Sequence, residues 1–206
     1  MVKDANKYDL NEIVDVHMRS FQGFFLSKLG PLFLKKYYNF MLHKDRAIFL
    51  VAKEEKVQGF VCGLSHAKEF NRAFFVNQLH IVLFSSLIAA IRYPGSIMRI
   101  FSRVGDISHF KDDSNIIYLL SIAVDPKESR GGIGTLLLEK FIERAKNLGY
   151  LQVYLTTDRD LNDDVNLFYR RNKFALIGNY DSGNSRMMNE YVYYLEEKNA
   201  MESAAF

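Results

Sequence analysis

The 206-residue chain contains one cysteine, three prolines and no tryptophan. With Cys62 alone, an intrachain disulfide framework and a cysteine-rich zinc site are both excluded. So few prolines leave no Pro-rich linker, and the missing tryptophan argues against repeat arrays that mark each unit with one. Charge of one sign is also scarce: 27 Lys and Arg against 24 Asp and Glu leave a formal net charge of +3. That balance, with an isoelectric point near 8.8, suits a small anionic ligand and falls far short of a nucleic-acid-binding profile. Long apolar runs are absent too. The most apolar stretch, 79–91, is shorter than the roughly 20 residues that span a bilayer. The opening Met1-Val2-Lys3-Asp4-Ala5-Asn6 has no signal-peptide core. A cytoplasmic location without nucleic acid or a transmembrane segment is the expectation.

Hydrophobic residues make up 49% and charged residues 25%, as in an ordinary globular protein and unlike a disordered one. At this length 1–206 reads as a single domain, with two small ones as the alternative, and a chain that buries about 70% of its unfolded surface needs no staples. Apolar spacing predicts an edge strand over 2–5, a helix over 8–21 carrying Leu10, Ile13, Val14, His17 and Phe21, and a helix over 31–43. A hairpin is expected from 47–52 and 57–66. Residues 69–110 differ, with near-continuous helical apolar runs broken at Tyr93-Pro94-Gly95, and they read as helices over 73–92 and 94–103. The last third alternates: strand 116–124, helix 132–148, strand 151–157, helix 162–172, and strands 174–180 and 191–195. Strand–helix–strand there implies a right-handed parallel crossover.

The segment richest in chemistry is Ile122-Ala-Val-Asp-Pro-Lys-Glu-Ser-Arg-Gly-Gly-Ile-Gly-Thr135, an apolar strand entering a glycine-rich loop that opens a long helix. Unpaired N–H groups and the macrodipole at a helix start favour an anion such as a phosphate. Gly131, Gly132 and Gly134 let backbone approach it closely. The same glycines serve equally well in a tight strand–helix turn, and taken alone they do not separate the two uses. A dinucleotide loop needs Gly-x-Gly-x-x-Gly, but Leu137 stands at the third position. Asp158 could mimic its ribose-binding acid, yet little chain follows to complete a doubly wound sheet.

The later helix adds a second pattern, Asn162-x-x-Val165-x-x-Phe168-Tyr169-x-x-x-Lys173-Phe174. Together with Val124-Asp125-Pro126 and Ser129-Arg130-Gly131-Gly132-Ile133-Gly134, it resembles the pair of signatures of the GCN5-related N-acetyltransferase (GNAT) family. The specific match covers about 116–180, and Asp9 lies at a common acidic position of the family's first helix. Two residues depart from the family pattern. Ser129 stands where Gln or Arg is usual, with Arg130 beside it, and Lys173 replaces a glycine.

The resemblance implies a mixed α/β fold: a mostly antiparallel sheet, a splayed parallel central pair (116–124 and 151–157), flanking helices and a helical insertion at about 69–110. It implies acetyl-CoA as co-substrate and no metal. Ala123 and Val124 would meet the pantetheine arm along the strand, while Ser129, Arg130, Gly131, Gly132, Ile133, Gly134 and Thr135 would hold the pyrophosphate. A backbone amide near the strand end would face the thioester carbonyl, a type of donor worth up to about 3–4 kcal/mol elsewhere. Tyr169 matches the tyrosine placed near the CoA sulfur, where a phenol can protonate a departing thiolate. Asn162 would contact CoA, or act as a helix N-cap, a role the residue favours unaided.

The acceptor is expected to be a small-molecule primary amine. Such an amine, with pKa about 10.4, costs roughly 4–5 kcal/mol to neutralise at pH 7. No acid lies on strand 116–124. Ser121 stands where one is often found, and His66 and Tyr118 are further candidates for moving the proton through water. His17, on an apolar helix face, reads as a satisfied core histidine. His80 and His109 lie in the insertion. Arg72, Arg92, Arg99 and Arg103 dot that insertion, which reads mainly as an extra helical layer. A lid, a homodimer surface and a membrane-surface helix are its other uses, and the arginines would suit a phosphate-bearing acceptor such as a nucleotide-linked amino sugar. The alternative function is a non-catalytic acyl-CoA-binding module on the same fold.

Overall fold

A computed structural model describes residues 1–92, 113–128, 131–183 and 186–195. The chain order is β1 (Val2–Asp4), α1 (Leu10–Ser20), α2 (Phe25–Lys28), α3 (Gly30–Leu42), β2 (Ile48–Lys53), β3 (Val57–Leu64), α4 (Ala67–Asn77) and α5 (Leu79–Arg92). It continues with β4 (Ile116–Val124), α6 (Ile133–Asn147), β5 (Gln152–Asp158), α7 (Asp163–Arg171), β6 (Ala175–Asp181) and β7 (Met187–Tyr194). The strands form one seven-stranded sheet in the order β1-β2-β3-β4-β5-β7-β6. Every neighbouring pair is antiparallel except β4 with β5, so the expected mixed sheet with one parallel central pair is present.

Side chains alternate across each strand, and both faces are apolar, so both must be covered. One core gathers Phe33, Tyr38, Phe60 and Cys62 with Ile13, Val16 and Phe74 under α1, α3 and α4. The other gathers Val61, Ile117, Val153, Leu155 and Tyr191 under Leu137, Leu138 and Phe141 of α6 and Tyr169 of α7. The two helical layers therefore reach the central strands from opposite sides.

Two features of β4 set up the site. It pairs with β5 only from Ile116 to Tyr118 against Gln152 to Tyr154, after which the strands part. Against β3, Gly63 pairs with Leu119 and Cys62 with Ser121, leaving Leu120 as an extra residue. Such a bulge bends a strand and raises its local twist. Gly63 beside it has no room for a side chain, because a Cβ there would lie 2.3 Å from the Tyr118 carbonyl oxygen and 2.6 Å from Phe141. Glycine at this position lets β4 and α6 close onto β3.

Several expectations are corrected. The helix expected over 73–92 is two helices bent by 85°. The Gln78 N–H still bonds to the Phe74 carbonyl, while the Gln78 carbonyl receives the N–H groups of Ile81 and Val82, so the chain turns there. Asn77 and Gln78 supply no apolar anchor across the break. The first of these helices starts at Ala67, directly after His66 in a left-handed conformation (φ 53°). The short α2 was not expected. The last strand starts at Met187 and not at 191, because polar Asn189 and Glu190 interrupt the apolar pattern while remaining in the ladder. The helix expected over 94–103 lies outside the described residues. The extra helical layer is real for the rest of the insertion: Phe70, Phe74 and Ala89 are buried in the first core. Among the described residues, no single helix is long and apolar enough to cross a membrane.

Candidate active site

Where β4 and β5 separate, a cleft of about 740 Å³ opens. Its walls are Leu119 to Val124 of β4, Thr156 to Asp158 of β5, the start of α6, and one face of α7 with Asn162, Val165, Phe168 and Tyr169. His17, Phe21, Phe24 and Leu26 close it from the α1–α2 side.

The open edge of β4 can be read from its ladder. The Asp125 N–H donates to the Gln58 carbonyl. Backbone groups alternate in direction along a strand, so those of Val124 and Ile122 face away from β3, toward the cleft. Ala123 lies in the opposite phase, paired with Phe60. Ala123 therefore gives the wall its side-chain surface and not free backbone, whereas Ile122, not singled out from the sequence, offers both N–H and C=O. The Val124 carbonyl accepts from Ser20 Oγ at 2.9 Å. Next to it, Arg19 donates from Nε (3.1 Å) and Nη2 (2.7 Å) to Asp125 Oδ2. Burial pushes the Asp125 carboxyl up, but the Lys127 amide and the Arg19 guanidinium outweigh it and hold the group below its usual range. These bonds latch α1 to the end of β4.

Gly132 precedes α6 with φ 72°, a conformation that glycine adopts without steric cost. Its carbonyl takes the first helical bond, from Leu136. The amides of Ile133, Gly134 and Thr135 are thus among the first-turn donors without intrahelical partners, at the positive end of a 15-residue helix. Gly132, Gly134 and Thr135 line the cleft. The Ile133 side chain packs into the second core, and Gly131 stands exposed on the loop outside the lining. Ser129 and Arg130 lie outside the described residues. A Cβ on Gly134 would lie 3.6 Å from Phe168 and from Val124, in ordinary contact, so β4, α6 and α7 meet at this residue.

On α7, Tyr169 is 5% exposed among Phe168, Phe174 and Tyr191, and it lines the cleft. Burial pushes its phenol well above the ordinary value, so it stays protonated at neutral pH. Asn162 occupies the N-cap position but makes no capping bond there. Its Nδ2 donates instead to Thr157 Oγ1 (2.9 Å) and the Asp158 carbonyl (3.0 Å). Asn166, one turn later, is a buried hub missed in the sequence: it donates to the carbonyls of Asn162 and Asp158 and accepts from Asn189 and Tyr191. Its spacing of four from Asn162 on an otherwise polar helix was the available signal.

Asp158 is held by Arg186 through a two-pronged ion pair whose Nη2–Oδ2 distance is 2.8 Å. It is therefore not the free acid a ribose would need. Ser121 lines the cleft as expected. His66 and Tyr118 do not. Leu64 pairs with Tyr118 near the start of β4, the end away from the opening, and His66 lies just beyond it. His17 does line the cleft. Its burial, 2% exposed, matches the expected core histidine, but it is satisfied on one side only. Nδ1 is 2.7 Å from the Tyr38 hydroxyl, and Nε2 has no partner among the described residues.

The family model described as acetyltransferase (GNAT) family matches residues 10–174. The chain belongs to this family. Acetyl transfer from acetyl-CoA is its general activity. Solved structures similar to this acetyltransferase include an N-acetyltransferase from Staphylococcus aureus Mu50, 18% identical, covering 95% of this chain and 98% of that one, with a TM-score of 0.61. The ribosomal-protein-S18-alanine N-acetyltransferase from Escherichia coli is 14% identical over 100% and 99% of the two chains, with a TM-score of 0.59. The acetyltransferase yncA from Salmonella typhimurium, solved with its cofactor acetyl-CoA, is 14% identical over 98% of each chain, with a TM-score of 0.57. These likenesses are of fold. The curated proteins contain no match to this sequence. Among the described residues, no group of three His, Cys, Asp or Glu could hold a metal ion.

Proposed function

We propose that this acetyltransferase moves an acetyl group from acetyl-CoA to the primary amine of a small molecule by direct attack on the thioester. One observation carries the reading: an open strand edge, a helix start with free amides and a buried tyrosine share one cleft. The amides of Gly132 to Thr135 suit the pyrophosphate, and the free backbone of Ile122 with the Val124 N–H suits an arm lying in the place of a missing strand. Acetyl-CoA, when bound, supplies an activated acyl carbon and a thiol leaving group. In the transfer, a C–N bond forms and the C–S bond breaks. The nitrogen loses a proton, and Tyr169 gives one to the sulfur and regains one from solvent, so protons balance.

Of the arginines behind the phosphate-bearing acceptor, Arg72 and Arg92 stand on α4 and α5 and do not line the cleft. Arg99, Arg103 and also His109 lie outside the described residues. The nucleotide-linked amino sugar thus rests on sequence alone, and a partly apolar amine with no charge beyond its ammonium suits the α1–α2 wall better. Thiol release from acetyl-CoA across a panel of primary amines, with calorimetry of acetyl-CoA binding, is the test. Binding without turnover on any amine would favour the non-catalytic acyl-CoA-binding module.

A further inference from the structure

We propose that His17 is a specificity residue for the acceptor, hydrogen-bonding through Nε2 to an uncharged polar group of a partly apolar amine. The proposal rests on the acetyltransferase reading of the cleft. The unpaired nitrogen motivates it. His17 is 2% exposed, and Nε2 finds no partner among the described residues. Buried polar atoms are rarely left so, and when they are, the atom usually meets a ligand or water. The residue that carries it lines a cleft large enough for either.

Its place in the fold says which part of the reaction it meets. The anion-ready start of α6 and Tyr169 of α7 lie on the sheet face covered by the second core. His17 packs against Phe21, Tyr38 and Phe60 of the opposite core and lines the opening from that side. An acceptor approaching a thioester held between β4 and β5 would come from that side.

The chemistry of the surroundings narrows the partner. His17 sits with Phe21, Phe24, Leu26, Leu120 and Ser121 on the wall, and none of these carries a charge. Its ring centroid is 4.7 Å from that of Phe21 and stacks with Phe60 at 6.4 Å. Burial lowers the imidazole to about 4, so it is neutral at physiological pH. A cation or phosphate beside Nε2 would be desolvated without compensation. A hydroxyl satisfies Nε2 whichever ring nitrogen carries the proton, since it can donate or accept. Tyr38 is the positioning residue, because its hydroxyl at Nδ1 fixes the ring.

The test uses the full chain and three probe amines: phenylethanolamine, phenethylamine, which lacks its hydroxyl, and the dicationic putrescine. Calorimetry with acetyl-CoA comes first. A failure to bind would remove the acetyltransferase reading, and the proposal with it, before any amine is added. Each amine is then titrated into CoA-saturated protein while the ring-nitrogen NMR signals of His17 are followed, and turnover is read by thiol release. Phenylethanolamine should shift the His17 signals, and its kcat/KM should exceed that of phenethylamine by about ten- to hundredfold. Putrescine should do neither. His17→Phe should erase the preference through KM for the amine, with acetyl-CoA affinity unchanged, and His17→Gln should restore part of it. Should His17→Phe fail to fold, the Gln variant, Tyr38→Phe and the ring signals decide. A preference that survives His17→Phe, or a His17 ring indifferent to all three amines in protein that binds acetyl-CoA, would overturn the proposal.

Discussion

Replacing His17 by Phe should change how stability depends on pH, by an amount set by burial. The ring is enclosed by Phe21, Tyr38 and Phe60, and burial lowers its pKa from 6.5 to about 4. The unfolded chain therefore binds a proton that the folded chain refuses between those values. Stability from the neutral ring is complete above pH 6.5 and is lost as pH falls toward 4. At about 1.4 kcal/mol per pH unit, this amounts to about 3 kcal/mol across the window. In His17→Phe the ring still fills the space and nothing titrates there. Tyr38 loses a partner, but its buried phenol is pushed far above the window, so that cost is the same at every pH. Urea unfolding of both proteins from pH 4.5 to 8 gives the comparison. The wild type should lose stability relative to the variant steadily below pH 6.5. Parallel curves through that range would show that His17 takes a proton freely when folded, and would refute the account of its burial.

Gly134→Glu should abolish calorimetric acetyl-CoA binding with the fold intact, whereas Gly134→Ala should retain most of it, because a methyl meets only ordinary contacts at 3.6 Å. Unchanged affinity in Gly134→Glu would remove the pyrophosphate role. Tyr169→Phe should lower kcat by about 10²-fold with little change in acetyl-CoA affinity, and a wild-type kcat across pH would reduce the residue to packing. Gly63→Ala should cost about 1–3 kcal/mol in chemical denaturation, because its Cβ would press on the β4 backbone. Ser20→Ala should weaken acetyl-CoA binding only slightly, because it removes one hydroxyl from the Val124 carbonyl and leaves the Arg19–Asp125 pair in place.

The elements around the cofactor side were legible because local chemistry dictates them. The apolar run 116–124, the glycines before α6 and the spacing from Asn162 to Phe174 each act within a few residues of themselves. The acceptor side was not legible for a matching reason. The apolar-face position of His17 does say that it is buried, but only the parting of β4 from β5, a register property of distant segments, says that it lines a cleft. The place of His66 is not legible for the same reason: which end of β4 the last residues of β3 meet depends on antiparallel pairing across more than fifty residues. A lid, one of the uses open to the insertion, could be trimmed, but the removal of 76–103 would not be such a trimming. With Ser85 and Ala89 buried, it would open the first core and is expected to unfold the protein.

The extra residue in β4 has a further consequence for which side each neighbour serves. Before Leu120 the odd-numbered residues, Ile117 and Leu119, point toward α6; after it the odd-numbered residues, Ser121 and Ala123, point toward α1. The strand thus changes phase once in its nine residues. Pairing all nine residues of β4 without the bulge would restore a uniform alternation and turn the remainder over. The Ser121 hydroxyl would then enter the oily layer beneath α6, and the Ile122 side chain would move to the wall that His17 occupies. A single backbone insertion therefore keeps both helical layers supplied with the right side chains while the edge between them stays open.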